Sequence, residues 1–538
     1  VEDGRLPSEA LVTSSETNPP RRLTRVEGPI LLAHGAVVPA VLTVRAGRIA
    51  SIDTQNPDEV TPGSAVLHWD SGESTRLSLP GVACLPAFVD GHTHLVGHGL
   101  GRTRPRLSNA RSRDEALAAL EAWLRVHPGE GPVIAEGWDQ SRWPDRKGLT
   151  GADLDRLGET RAIAARRVCG HIAAFNSAAV ALLGTDWPGF DPALGVASEE
   201  LPLALSQLWP PSDEEMDEAV LRAQDEALAR GVVWVQEMGD RRGWAALRRA
   251  DRSGRLRVRV SQFFRCEGRE ALDLVTSFAA PEDGPRLRFA GIKLFLDGSF
   301  GARTAAVREA YPSEAPGAPE AFGTLVWDDA RLEEALRVCK RNGFRVAAHA
   351  IGDRALEQYL SALDRVGFPA ESEPRVEHAE MLPADLYDRS VRRGLRISMQ
   401  PNFTANWQGA GGLYEQVLGP DRARALNPYA RVEPNRLLFG SDHMPLGPLY
   451  GVRGACEHPD PDQRLDRVAA YQAYTKGPAR SVRAPFHQAR IEVGEPAHLV
   501  VIGEDVLATI VDGEGVFFRR ADHPRGADPG GVDRGAAE

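Results

Sequence analysis

The sequence predicts an α/β protein: a (β/α)8 barrel, a small β-sandwich built from both chain ends, and an insertion after the first barrel strand. Three observations carry this. Eight apolar, strand-like runs alternate with charged stretches of helical periodicity through the middle of the chain. Short β-branched runs broken by Gly-containing turns occupy both ends. The first two of the eight runs stand far apart, from Gly91 to about Gly231.

In chain order, the polar and acidic residues 1–22 read as a disordered leader. The stretch "GPILLAHGAVVPAVLTVRAGRIASID" then opens the N-terminal part of the sandwich, assigned to 23–80. The barrel, 81–480, has as its strands "VACLPAFVDG", "VVWVQEM", "LRVRVSQFF", "FAGIKLFLDG", "FRVAAHAIGD", "RVEHAEM", "LRISMQP" and "RLLFGSD". Helices fit between them, such as "DEEMDEAVLRAQDEALARG" before the second and "DDARLEEALRVCKRNG" before the fifth. The insertion, about 100–215, holds the helical "RDEALAALEAWLRVHPG", the Trp-rich loop "EGWDQSRWPDRKG", and "AIAARRVCGHIAAFNSAAVALLG", a strand followed by a helix. Long insertions on barrel loops serve as lids or substrate walls. Residues 481–520 return to short strands and complete the sandwich, and the Gly-, Pro-, Asp- and Arg-rich residues 521–538 form a flexible tail.

Lys and Arg total 64 against 75 Asp and Glu, a net charge of -11, and no basic block stands out. Nucleic acid and anionic membrane are therefore not expected as partners. The five cysteines are scattered, odd in number and without CxxC spacing, as reduced thiols of a cytosolic protein would be. The start of the chain lacks the pattern of a signal peptide, and no run approaches the ~18 apolar residues of a membrane span. The expectation is a cytoplasmic homo-oligomer, a dimer, that acts on a small molecule.

Barrel active sites lie at the C-terminal ends of the strands. His92 and His94 end the first run, Lys293 and Asp297 the fourth, His349 and Asp353 the fifth, His378 the sixth, and Asp442 and His443 the eighth. Residues i and i+2 of an extended segment share a face, so His92 and His94 converge. Imidazole and carboxylate are ligands that Zn²⁺ accepts, and an open position holding water makes such a metal catalytic. Taken alone, the His-x-His pair reads equally as two satisfied histidines; recurrence of ligand types at other strand ends favours metal.

The pieces "LPAFVDGHTHL", "RRVCGHIAAFNS", "GIKLFLDGSFGARTA", "AAHAIGDRAL", "RVEHAEML", "LLFGSDHMP" and "AYTKGPA" resemble the amidohydrolase superfamily. Within it they are similar to the amidohydrolase-3 group, the YtcJ-like hydrolases and N-substituted formamide deformylases. The resemblance implies a distorted barrel and one or two divalent metals, usually zinc. It places His92 and His94 on the more buried metal, Lys293 as a carboxylated bridging ligand, His349 and His378 on the second metal, and Asp442 as ligand and base. Competing readings are an ion pair of Lys293 with Asp297 and an ordinary buried, hydrogen-bonded His378.

His171 lies in a Gly-His stretch that the resemblance turns toward substrate, as a contact or transition-state polariser; capping of backbone groups is the alternative. Cys169 stands where similar proteins often carry Asp. Asp297 and Arg303 either order their loop or bind a substrate carboxyl or carbonyl. Trp138 and Trp143 either line an apolar part of the pocket or pack inside the insertion. His98 and His443 are left out of the ligand set.

The expected activity is hydrolysis of an amide-like C-N bond, N-formyl or N-acyl, through a metal-activated water. Alternatives are a deaminase or cyclic-amide hydrolase on the same barrel, or a non-catalytic binding relative. Nucleoside-type deaminases pair the strand-5 histidine with a Glu three residues on, where this chain has Gly352.

Overall fold

The computed structural model describes residues 21–54, 63–79, 81–140, 143–167, 172–198, 200–268, 270–312, 319–482 and 486–519. The leader up to residue 20, the tail from 520, Cys169 and His171 lie outside the described residues.

The eight runs are the eight barrel strands: Phe88–Thr93 (β1), Val232–Gly239 (β2), Arg259–Cys266 (β3), Leu287–Phe295 (β4), Val346–Ala350 (β5), Arg375–His378 (β6), Arg396–Met399 (β7) and Leu437–Phe439 (β8). They hydrogen-bond in chain order as one parallel sheet. Helices cover the outer face and side chains fill the interior, so β2 is buried at every position. That is why its sequence runs apolar instead of alternating.

Helices begin where their caps stand. Leu95–Thr103 (α1) follows β1 directly. Asp213–Ala229 (α2) starts in a reciprocal capping box, with Ser212 accepting from the Glu215 amide and Glu215 reaching back to the Ser212 amide. Asp328 caps Asp329–Arg341 (α3), whose stripe of Leu332, Ala335, Leu336, Val338 and Cys339 is buried.

The ring is nearly closed between β8 and β1 by close backbone approach. A Cβ on Gly440 would strike the His92 backbone, and one on Gly91 would meet the Phe439 carbonyl. The contact brings the Asp442 amide 2.8 Å from the His92 carbonyl oxygen. Glycine at these two positions thus sets the distance between two ends of the candidate site.

The chain ends combine into one continuous nine-stranded sheet whose core includes Val26, Ile30, Leu42, Leu67, Trp69, Leu499 and Ile510. The run "VACLPAFVDG" serves both domains. Ala83–Pro86 pairs with Leu499–Ile502 and touches Leu23–Leu31, whereas β1 begins at Phe88. The switch occurs at Ala87, whose amide donates to His498 while the next amide, Phe88, donates to Gly231.

The insertion forms its own five-stranded sheet with a separate apolar core. Its run "AIAARRVCGHIAAF", expected as one strand, is two: Ile163–Arg167 and Ile172–Phe175 pair antiparallel, with Ala173 opposite Arg166. Helix Ser177–Leu183 follows, capped by Asn176. Cys84, Cys266, Cys339 and Cys456 are free thiols. Among the described residues no helix is long and apolar enough to cross a membrane.

Candidate metal centre

The C-terminal ends of β1, β6 and the residues after β8 bring three ligand types together. Among the described residues, His92, His378 and Asp442 offer ligand atoms within 4.8 Å of one another. His94 Nε2 lies 3.3 Å and His92 Nε2 3.8 Å from Asp442 Oδ1. His349 joins from β5, its ring centroid 4.5 Å from that of His378.

Each anchored histidine has one nitrogen committed elsewhere, which decides what the other presents. His92 Nδ1 donates to Glu377 Oε2 at 2.6 Å, and His94 Nδ1 donates to the Met238 carbonyl at 2.9 Å. A proton fixed on Nδ1 leaves Nε2 as a bare lone pair. His349 is the mirror case, with Nε2 donating to the Gly298 carbonyl at 2.9 Å and Nδ1 left bare. His378 Nδ1 is buried without a hydrogen-bond partner. Burial, the first cause throughout, lowers the proton affinity of all four, His92 to about 4 and His349 to about 3. Neutral imidazole is the form that binds a cation.

Adjacent strand residues normally face opposite sides, yet Glu377 and His378 both reach His92. His378 adopts φ 74, and this left-handed residue at the end of β6 breaks the alternation. Asp442 and His443, at φ 47 and 46, are strained in the same way. Such conformations in non-glycine residues cluster where the surrounding fold imposes a functional geometry.

Lys293 points into the barrel from β4, fully buried, and its Nζ has no hydrogen-bond partner. Desolvation pushes its pKa down and that of Asp442 up. A buried amine without a hydrogen-bond partner and an unbonded imidazole nitrogen are groups that a cation or a modification would satisfy. The donor set, imidazoles with a carboxylate, fits a divalent metal.

The remaining sequence-derived residues border this cluster or lie apart from it, and Asp297 Oδ1 comes within 3.4 Å of His349 Nε2. Asp297 accepts from the amides of Ala306, Ile351 and Gly352 at 2.8 to 3.0 Å, so both oxygens knit the loop after β4 to the end of β5. The Arg303 guanidinium turns to the Pro312 carbonyl, 2.9 Å away, and lies 6.0 Å from the Tyr311 ring. Trp138, weighed as a pocket wall, is 2 % exposed; its Nε1 donates to the Ala165 carbonyl and its ring packs on Trp143. That corrects the pocket-wall reading: the side chain belongs to the core of the insertion. His98 is 2.9 Å from Glu226, away from the ligands. His443 is half-exposed, with its ring 5.6 Å from that of His94.

Sequence reasoning missed the supports. Asp90 accepts from the Ser441 amide and hydroxyl, tying β1 to the residue before Asp442. Glu237 accepts from the Leu95 amide at 2.5 Å, holding the start of α1 just after His94. Glu377 orients His92. The signal was present in each case as a carboxylate inside an otherwise apolar run.

Comparison with known proteins shows the family. The profile of the Amidohydrolase family matches residues 78–514. The chain is 28% identical over 476 residues to the putative amidohydrolase YtcJ of Bacillus subtilis, covering 82% of this chain and 87% of that protein. It is 24% identical over 543 residues to the N-substituted formamide deformylase of Arthrobacter pascens, covering 89% and 95%. An uncharacterized metal-dependent hydrolase from Pyrococcus furiosus superimposes with a TM-score of 0.72 at 26% identity, covering 90% of this chain and 99% of that one. A fold of this kind, imidazole and carboxylate side chains gathered at its carboxyl mouth, and a family match across most of its length lead to one conclusion: the chain belongs to the amidohydrolase family of hydrolases.

Proposed function

We propose that this protein hydrolyses an amide-like C-N bond in a small N-formyl or N-acyl compound, with water as nucleophile and zinc as the metal. The observation that carries the reading is the convergence of His92, His378 and Asp442 at the carboxyl ends of the barrel strands. The likeness to N-substituted formamide deformylase supports the bond class.

His92, His94, His349, His378 and Asp442 would hold the cation, with Lys293 as a further ligand. Such a cation supplies Lewis acidity toward a carbonyl oxygen and lowers the pKa of a water. Asp442 takes a proton from the attacking water and returns it to the departing nitrogen, so the amine leaves neutral and the carboxylate is regenerated. Burial raises the proton affinity of Asp442, and a cation bound beside it would lower it again. Burial also favours the neutral Lys293 amine, the form that adds carbon dioxide to give a carbamate and release a proton. The carbamate would add anionic oxygen donors to the ligand set. His171, in the insertion, is assigned to the oxyanion that forms on the attacked carbonyl.

The test is metal analysis with a substrate panel. Purified protein should carry stoichiometric divalent metal and turn over members of a set of N-formyl amines, N-acyl amino acids, carbamates and lactams. Activity should vanish with chelator and return with zinc or manganese. Protein lacking bound metal, or turnover indifferent to chelator, would refute the reading.

A further inference from the structure

The interior of a (β/α)8 barrel is ordinarily filled by branched apolar side chains. Here it contains a complete arginine. Arg375, on β6, is 0 % exposed, as is its partner Glu377 two residues on. The guanidinium engages both carboxylate oxygens, Nε at 2.8 Å from Oε1 and Nη2 at 3.1 Å from Oε2. Nη2 also donates to the Gly91 carbonyl at 2.9 Å, and Nη1 donates to Gln236 Oε1 and to Ser481 Oγ. The Phe263 ring lies 4.8 Å beneath the charge.

A buried ion pair of this sort is a poor stabilising device, because desolvation offsets most of the attraction and apolar residues of similar volume often serve as well. Its placement gives a different reason for it. Glu377 Oε2, held from behind by the guanidinium, accepts from His92 Nδ1 at 2.6 Å. The same guanidinium grips the backbone one residue before His92. Ring and main chain of this histidine are therefore fixed from one point.

We propose that Arg375 and Glu377 are positioning residues that set the metal affinity of the centre, by locking the His92 ring with its proton on Nδ1 and Nε2 aimed at the cation. The inference rests on the metal-centre reading above. His94 provides the contrast, since its Nδ1 meets only the neutral Met238 carbonyl. A charged acceptor makes a stronger hydrogen bond and a more basic imidazole, so the His92 side of the centre is the anchored one. Arg375 touches no ligand itself; it acts by fixing both oxygens of Glu377.

The experiment compares wild type with Glu377→Gln, Arg375→Lys and the double variant Arg375→Met/Glu377→Leu. Zinc affinity is measured by competition with a chromophoric chelator, alongside the visible spectrum of the cobalt-loaded proteins and thermal unfolding of the metal-free ones. Glu377→Gln should weaken zinc binding by about 10–100-fold and shift the cobalt bands, and because it leaves the Arg375 charge buried without its counter-ion its metal-free unfolding midpoint should fall. The double variant, which leaves no unpaired buried charge, should fold at least as stably as wild type and bind zinc as weakly as Glu377→Gln. Arg375→Lys keeps the charge without the fork and should give an intermediate loss. Wild-type affinity and an unchanged cobalt spectrum in Glu377→Gln or the double variant would overturn the positioning role alone. Wild-type protein that takes up no zinc would overturn the hydrolase reading, and this inference with it.

Discussion

Acidification should loosen the seam between the terminal sheet and the barrel, through two histidines remote from the metal centre. His487 and His498 are 6 % and 4 % exposed, with ring centroids 4.5 Å apart. Each Nδ1 accepts from a backbone amide at 3.0 Å, Ala489 for His487 and Asp512 for His498. Neither can gain a proton there without setting N-H against N-H. Arg259 and Arg286 pair with nearby Asp512, and Arg48 further disfavours charge on His498. Burial drives His487 down to about 3 and His498 well below its ordinary value. The folded state therefore binds fewer protons than the unfolded one. The stabilisation is complete above the unfolded histidine value of about 6.5 and declines as pH falls toward about 3. For His487 alone the loss at pH 5 is about 1.5 pH units at ~1.36 kcal/mol each, or about 2 kcal/mol, roughly 30-fold in an opening equilibrium. That is a sizeable fraction of a typical folding free energy. The assay is hydrogen-deuterium exchange over residues 486–513 at pH 7 and pH 5, corrected for intrinsic rates, in wild type and His487→Gln. Glutamine can still accept from the Ala489 amide but does not titrate, so the variant should lose about 30-fold less protection between the two pH values. Parallel losses in the two proteins would refute the assignment.

Asp442→Asn should lower turnover by at least about 10²-fold, the usual contribution of an acid-base group, with the far-UV circular dichroism spectrum unchanged; near-normal kcat would remove Asp442 as the base. Lys293→Met removes a desolvated amine, so the metal-free protein should unfold at the same temperature or higher while bound metal falls, and added bicarbonate should restore neither metal nor activity. Trp138→Ala should cost about 3–5 kcal/mol in the insertion, as loss of a buried aromatic does; its signature is faster limited proteolysis within residues 104–212. Gly440→Ala forces a Cβ into the His92 backbone, so metal content should drop more than in a surface glycine variant such as Gly131→Ala, where a Cβ meets nothing within 4 Å.

The barrel strands were legible because each is an apolar run long enough to cross a sheet covered on both faces, and the candidate ligands because they are polar interruptions at its carboxyl end. The run from Val82 to Gly91 shows where that reading stops. Its two halves have the same texture, and only the partners that Ala83–Pro86 and β1 find, some 400 and 150 residues later in the chain, assign them to different sheets. Trp138 was legible as an aromatic in a polar loop, but its direction depends on the Ala165 carbonyl and the Trp143 ring. Alternation along a strand would set Glu377 and His378 on opposite faces, and only the left-handed turn at His378 brings both to His92.

By itself the sequence determined the chemistry: four imidazoles, a carboxylate and a lysine, each in a context that places it at a strand end, inside an acidic chain with both ends β-rich. The tertiary structure decided their state. Which imidazole nitrogen is bare, which carboxylate supports a ligand and which knits a loop, and why Lys293 Nζ has no hydrogen-bond partner all depend on groups from strands distant in the chain. The physical reason is that a donor or acceptor is committed only by the atom placed opposite it, and local pattern does not encode that atom.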